Sequence, residues 1–486
     1  MSKQTEKEHK DLLATLARLG GKLTAEEDVK FQGKDLILPE RMQIPDAIAF
    51  LKDKMAEDEE EMNFNRTFKF RPWDGARAAS IALRRAFGMT RQQPIQTMFG
   101  KQPPSLITIN VGPNETEQVP WGAVTIPLLP NSTIYLGATH DEELGILFTV
   151  QITAPRKYRF EVEGIFHLIQ DELETNSMYR GKAFDGRDEA EFLDLSGVDQ
   201  TKVVYADEVI TQLEANIWSQ LEHSEAMEAL GIPLKRAVLL EGPYGTGKTL
   251  AAFQTAQRAV ANGWTFIYCR PGRDNLQSVM ATAQLYQPAV VFFEDVDVIA
   301  DGDQSTDTVT RLLDVFDGIQ AKGTKILAIL TTNHVDQIHK GMCRPGRLDA
   351  IVHIGALDRN GIQRLIEVTV PETLLDNIDY DAVAESMEGY MPAFCKEAVD
   401  RSIRYAVARG NGVVDKITTQ DLLHAAHGLR DQFNLMNGAH EGKAKNPLEE
   451  SLARVVRTAV HGSRVVEQDG SGYAPYALDA GEQSAL

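Results

Sequence analysis

The chain has 486 residues, 43% of them hydrophobic and 25% charged, with a formal net charge of -20. This is globular composition with material for several domains, and it excludes a fibrous or wholly disordered chain. A field of that sign repels phosphate backbones, so nucleic acid is disfavoured as a general partner, although a local basic patch is not excluded.

The three cysteines, Cys269, Cys343 and Cys395, lie far apart in no CxxC pair. That spacing argues against a disulfide scaffold or a zinc finger and fits a reducing compartment. No apolar run reaches the ~18 residues that span a bilayer, and Met1–Lys10 is polar and charged, so a cytoplasmic protein without a membrane contact is expected.

Residues 1–65 read as a polar helical segment. Ile48, Leu51 and Met55 fall at helical spacing, and the acidic run Glu57–Glu61 reads as a solvated helix end or linker. Residues 66–195 change texture. Leu106–Val111, Val124–Leu128 and Ile146–Ile152 are β-rich, with turn formers at Pro113-Asn114 and Pro130-Asn131 between them. Ala76–Phe87 and Glu161–Leu173 read as helices, giving an α+β amino-terminal domain. Trp73 reads as an aromatic anchor of that domain. Arg84-Arg85 and Arg156-Lys157-Tyr158-Arg159 are its clearest basic clusters, better suited to a solvated face or to ion pairs than to nucleic acid.

Residues 196–356 alternate strand and helix, which predicts a doubly wound parallel α/β sheet. Its strands are expected at Arg236–Leu240, Thr265–Cys269, Ala289–Phe293, Lys325–Thr331 and Ile351–Ile354. Residues 357–436 are purely helical in pattern, a small all-helical lid. Residues 437–486 carry one amphipathic helix, Pro447–Ala459, and a Gly/Ser/Ala-rich tail with disordered composition.

The chemistry concentrates at Gly242-Pro243-Tyr244-Gly245-Thr246-Gly247-Lys248-Thr249, a GxxxxGK[ST] phosphate loop between a strand and a helix. Glycines let backbone N–H groups turn inward on phosphate oxygens, and the helix entered at Leu250 aims its N-terminal dipole at the same anion. Lys248 is the point charge for the β- and γ-phosphates, and the Thr249 hydroxyl is a ligand for Mg²⁺. ATP and Mg²⁺ are therefore the expected cofactors. The apolar strand Ala289–Phe293 then ends in Glu294 and Asp295, acids placed to serve Mg²⁺ and the attacking water.

With these motifs in order, residues 200–430 resemble the AAA branch of the AAA+ superfamily. Ile326–Thr332 followed by Asn333 is similar to its sensor-1 strand, implying that Asn333 bonds the γ-phosphate or attacking water. Cys343-Arg344-Pro345-Gly346-Arg347-Leu348-Asp349 is similar to the arginine motif, whose two arginines act on a neighbouring subunit's ATP. The resemblance implies that role for Arg344 and Arg347, and with it a homo-oligomeric ring, six subunits being the family's habit. Leu312–Gly318 resembles the family's LLxxxDG helix end, and Gly389–Ala393 sits where its lid helix begins. Val204 and Tyr205 stand where relatives hold adenine.

Two departures matter. The usual acid order is Asp then Glu. Here Glu294 takes the metal-supporting position and Asp295 the water-orienting one, which predicts slow hydrolysis or a need for closure by a neighbour. The segment Arg270–Gln287 is shorter than the pore-loop region of protein-unfolding members and has no aromatic-glycine tip, which leaves Tyr268 and Tyr286 as core residues. Both features are similar to the subgroup of the mitochondrial ATPase that assembles respiratory complex III, whose membrane anchor has no counterpart here. The expected function is ATP-driven remodelling or assembly of protein complexes, with a client held by the amino-terminal domain. A nucleic-acid-handling motor and an ATP-gated scaffold with slow turnover are the alternatives.

Overall fold

The computed structural model describes residues 30–32, 35–37, 44–88, 90–97, 100–126, 129–197, 199, 202–296, 323–334, 347–413 and 416–436. Cys343, Arg344, Leu312–Gly318 and Pro447–Ala459 lie outside these residues.

The described residues begin with a short hairpin, β1 (Lys30–Gln32) and β2 (Asp35–Ile37), then α1 (Ile44–Glu59). Strand β3 (Glu61–Phe68) follows at once, so the helical reading of 1–65 is replaced by strand at 30–32, at 35–37 and again from Glu61. Alternation explains the latter: Phe64, Arg66 and Phe68 face inward while their neighbours are exposed. Helix α2 (Pro72–Phe87) starts on a proline and stops at Gly88, whose positive φ of 70° closes it. Four short or medium strands come next: β4 (Arg91–Gln92), β5 (Ile95–Thr97), β6 (Gly100–Gln102) and β7 (Ser105–Gly112). Then β8 (Glu115–Thr125), β9 (Thr133–Asp141) and β10 (Gly145–Pro155) meander into α3 (Arg159–Asn176). The antiparallel sheet runs β3-β10-β9-β8-β4, with β7 also on β8, and α2 and α3 pack together beside it.

The basic cluster after β10 faces α1. Arg156 pairs with Glu57 and Lys157 with Glu59, so the acidic run and the basic run answer each other within one chain. Trp73 is half-buried against Trp121, ring centroids 5.9 Å apart.

The second sheet is parallel throughout, in the order β11-β13-β14-β15-β12-β16. Its edge strand, β11 (Ala183–Asp185), comes from the connector ahead of the expected boundary at 196. The others are β12 (Arg236–Glu241), β13 (Thr265–Cys269), β14 (Ala289–Phe293), β15 (Ile326–Thr332) and β16 (Ala350–His353). Helices α4 (Asp207–Leu213), α5 (Lys248–Ala261) and α6 (Leu276–Leu285) flank it. The central strands are buried along almost their whole length and mostly apolar because both faces are covered. Val238, Phe266, Val290 and Ile329 join the core under α5. Leu239, Ile267, Val291 and Ala328 join a core continuous with that of the antiparallel sheet.

Helices α7 (Arg359–Thr369), α8 (Tyr380–Ser386), α9 (Pro392–Arg409) and α10 (Thr419–Met436) form a third, separate core around Tyr390, Cys395 and Phe433. No helix among the described residues is long and apolar enough to cross a membrane.

Candidate nucleotide site

The phosphate loop joins β12 to α5. Gly242 has φ 153°, and a Cβ there would lie 2.1 Å from the Ile354 carbonyl oxygen, so only glycine fits. Gly247, at φ 99°, precedes the first residue of α5. Tyr205 packs beside it, buried, and its hydroxyl donates to the Gly247 carbonyl at 3.0 Å. Val204 packs instead against the helical core.

Within the loop, the Thr246 hydroxyl donates to the Pro243 carbonyl at 3.0 Å. Lys248 is buried, and its Nζ donates to the carbonyls of Gly242 (2.6 Å) and Pro243 (2.9 Å) and to Asn333 Oδ1 (2.8 Å). Asn333 sits just past β15, and its Nδ2 donates to Asp295 Oδ1 at 3.3 Å. The Thr249 hydroxyl donates to Glu294 Oε1 at 2.7 Å. Thus Lys248, Thr249, Glu294, Asp295 and Asn333 converge at the carboxyl ends of β14 and β15, facing the start of α5. Tyr244 is exposed at the loop tip, edge-on to His334, and Leu250 is half-buried in the first turn of α5.

The reversed acid order has a backbone correlate. Asp295 adopts φ 46°, in the left-handed region, where Asp is several-fold enriched over most non-glycine residues. Its N–H donates to Thr331 Oγ1 at 2.8 Å, and the next N–H, of Val296, donates to the Thr331 carbonyl at 2.9 Å. A longer, more flexible Glu gains nothing from that conformation. Glu at 294, in turn, has the reach to meet the Thr249 hydroxyl. Length and backbone are matched at both positions.

Arg347 is half-buried in the turn before β16. Two residues on, the Asp349 carboxylate accepts from the Ala237 N–H at 2.9 Å, tying this turn to β12. The carboxy-terminal helices reach the loop at two points. Ala393 N–H, in the first turn of α9, donates to the Gly245 carbonyl at 3.0 Å, and Arg364 Nη2 donates to the Tyr205 carbonyl at 2.8 Å. Arg364 also pairs with Asp207 at 2.5 Å.

Three residues on or beside these contacts escaped sequence reasoning, Arg270 through its ion pair with Glu294 at 3.8 Å. Thr331 lay inside an apolar strand, Arg364 on an amphipathic helix, and Arg270 in a loop read only for its length. The one available signal for Arg270 is that Cys269-Arg270-Pro271-Gly272-Arg273 repeats Cys343–Arg347 letter for letter.

As for ligands, a hydroxyl and a carboxylate oxygen 2.7 Å apart beside a lysine-bearing glycine loop are hard oxygen donors suited to Mg²⁺ carried by a nucleotide.

Residues 238–356 match the family described as ATPase family associated with various cellular activities (AAA). Among curated proteins, the chain is 32% identical over 205 residues to the cell division cycle protein 48 homolog of Archaeoglobus fulgidus, covering 38% of this chain and 27% of that protein. It is 27% identical over 259 residues to the proteasome-activating nucleotidase of Methanocaldococcus jannaschii, covering 49% and 58%. To ATP-dependent zinc metalloprotease FtsH 1 of Conexibacter woesei it is 28% identical over 246 residues, covering 46% and 37%. The chain thus spans between about a quarter and somewhat over half of the length of these relatives. A lysine-bearing phosphate loop, two strand-end acids and a following asparagine on a parallel sheet, in a segment that matches this family, mean that the chain carries an AAA ATPase domain at residues 238–356.

Proposed function

We propose that the protein hydrolyses ATP as a ring-forming AAA+ machine that remodels or assembles protein complexes. The observation that carries this reading is the convergence of Lys248, Thr249, Glu294, Asp295 and Asn333 on one point of the sheet. In that reading Lys248 neutralises the β- and γ-phosphates, and Thr249 and Glu294 hold Mg²⁺. Asp295 and Asn333 orient the attacking water, and Gly242–Leu250 with Val204 and Tyr205 surround the nucleotide. Arg344 and Arg347 complete the site of the adjacent protomer, with six protomers as the count the family resemblance implies. The helices of residues 357–436 are the lid, and residues 66–195 are the client-bearing amino-terminal domain.

Support for a protein client comes from the named relatives, a cell-division homolog, a proteasome activator and a protease. The short link between β13 and α6 supports a client handled as folded protein rather than threaded through a pore. We place the protein in the cytoplasm.

Phosphate release by purified protein tests the site. Lys248→Ala and Asp295→Asn are expected to reduce turnover by ~10²-fold or more, and undiminished turnover in either would overturn the assignment. Mixing Arg347→Ala with Lys248→Ala subunits should restore activity at mixed interfaces. Failure of every mixture, with both variants assembled, would remove the trans role of Arg347.

A further inference from the structure

We propose that Tyr268 and Arg270 are positioning residues for Glu294, clasping the carboxylate oxygen that Thr249 does not hold. The proposal rests on the ATPase reading above and deepens it.

Glu294 leaves β14 with its N–H bonded to the Cys269 carbonyl at 2.9 Å, so the end of β13 lies directly alongside it. The carboxylate is divided. Oε1 accepts from the Thr249 hydroxyl at 2.7 Å, while Oε2 faces Arg270 Nε at 3.8 Å. Burial, and after it the nearby Glu294 carboxylate, push the pKa of the Tyr268 hydroxyl up. The guanidinium of Arg270 lies 5.2 Å from the Tyr268 ring centroid, so the two clasping groups also brace each other.

Both are held before they reach the acid. Tyr268 is 6% exposed and stacked on Phe292, with ring planes 10° apart and centroids 6.0 Å apart. That packing fixes its ring, which leaves the hydroxyl little freedom. Arg270 opens a turn with Pro271 second and Gly272 third, where Gly272 has φ 90° and the Arg273 N–H donates to the Arg270 carbonyl at 3.0 Å. Asp274 locks it by accepting the Arg270 N–H at 2.7 Å. These are tight constraints for a loop whose arginine is more than half exposed.

The need for a clasp follows from the acid order. Glu has one more rotatable bond than Asp, so at the metal-supporting position it loses more side-chain entropy when held in one geometry. A group that orients a metal-supporting carboxylate acts on metal affinity and turnover through that carboxylate.

The test uses the full-length protein with Tyr268→Phe, Arg270→Ala and Arg270→Lys. ATP turnover is measured, together with affinity for a fluorescent ATP analogue in EDTA and in Mg²⁺. Arg270→Ala and Tyr268→Phe should each lower kcat by roughly tenfold and shrink the gain in affinity that Mg²⁺ confers. Affinity in EDTA should stay within about twofold of the parent, since the contacts of both side chains are to Glu294, to each other and to Phe292 rather than to the phosphate loop. Arg270→Lys should recover part of the loss, and the double variant should fall short of the product of the singles, because both act on one carboxylate. The proposal is overturned if both single variants keep the parent's kcat and its Mg²⁺-dependent gain. It is equally overturned if Arg270→Ala loses affinity equally in EDTA and Mg²⁺, which would make Arg270 a nucleotide contact. Undiminished turnover in Lys248→Ala would instead remove the ATPase reading, so the two failures are distinguishable.

Discussion

The parallel sheet has neighbours on two sides, and the two junctions are built differently. Toward the antiparallel sheet, the apolar core is continuous, and a buried polar knot pins the contact. Arg71 donates from Nη1 to the Leu144 and Ile146 carbonyls, and from Nη2 to the Ser278 carbonyl and Thr282 Oγ1 on α6. Its N–H donates to the Tyr286 hydroxyl at 2.9 Å, and the buried Asp74 nearby in sequence accepts from the Ser177 hydroxyl and the Met178 N–H. Toward the carboxy-terminal helices, cores are separate and the described polar links to the phosphate loop and its flank are few, including the exposed Arg364–Asp207 pair and the Ala393–Gly245 bond. One junction is a weld; the other, loosely linked, fits the hinge that the proposed function calls for. The weld ties α6 to the antiparallel sheet, while the carboxy-terminal helices are joined to the phosphate loop and its flank by fewer bonds.

The largest test of this contrast is Tyr286→Ala. Tyr286 is fully buried, edge-on to Phe70 (5.9 Å) and Tyr179 (5.4 Å). Its loss should cost ~4 kcal/mol and split one calorimetric transition into two as the sheets uncouple. A single, unshifted transition would break the weld. Next comes Asp74, whose pKa burial pushes up from 3.8 to about 6, against the bonds from Ser177 and Met178. A raised carboxylate pKa means that the native state holds its proton more tightly than the unfolded chain. Stability should therefore fall by up to ~3 kcal/mol as pH rises from about 4 to about 6, then level off. Asp74→Asn should flatten that part of the pH–stability curve measured by urea unfolding, and an unchanged slope would refute the cause.

The Glu294→Asp/Asp295→Glu double variant restores the usual acid order and should lower turnover rather than raise it. It should also cost ~1 kcal/mol for the left-handed backbone. Faster hydrolysis would show that the matched lengths mean nothing. Smallest is Arg364→Ala. Both partners of its ion pair are well exposed, 39% and 53%, so melting should shift by less than ~1 kcal/mol while KM for ATP rises. A large stability loss there would make the hinge a second weld.

What the sequence disclosed follows the same physics. Strands covered on both faces, such as Ala289–Phe293, read as unbroken apolar runs and are found by eye, and the phosphate loop is contiguous. The weld was not legible, because Arg71 and Tyr286 stand 215 positions apart and nothing local marks either as polar-bonded. Nor was the left-handed turn at Asp295, which is a property of the strand end rather than of residue order. Tyr268 was masked by its burial: a ring in the core can still stand at the edge of the site, against the Arg270 guanidinium. Strand β11 is three residues long and shows no usable period.

That short strand has a practical consequence. Ala183–Asp185 pairs in parallel with Phe266–Tyr268 and covers the open side of β13. Leu193 folds back onto the Ala183 carbonyl, and Phe192 packs on Phe184 and Tyr179. A fragment cut at residue 196 would keep every nucleotide motif yet bare the hydrogen-bonding edge of Thr-Phe-Ile-Tyr-Cys, a β-prone stretch without a charge. Such a fragment should aggregate during expression, the more so because it also bares the apolar face shared with the antiparallel sheet. The catalytic unit begins where its sheet is closed, not where its motifs begin.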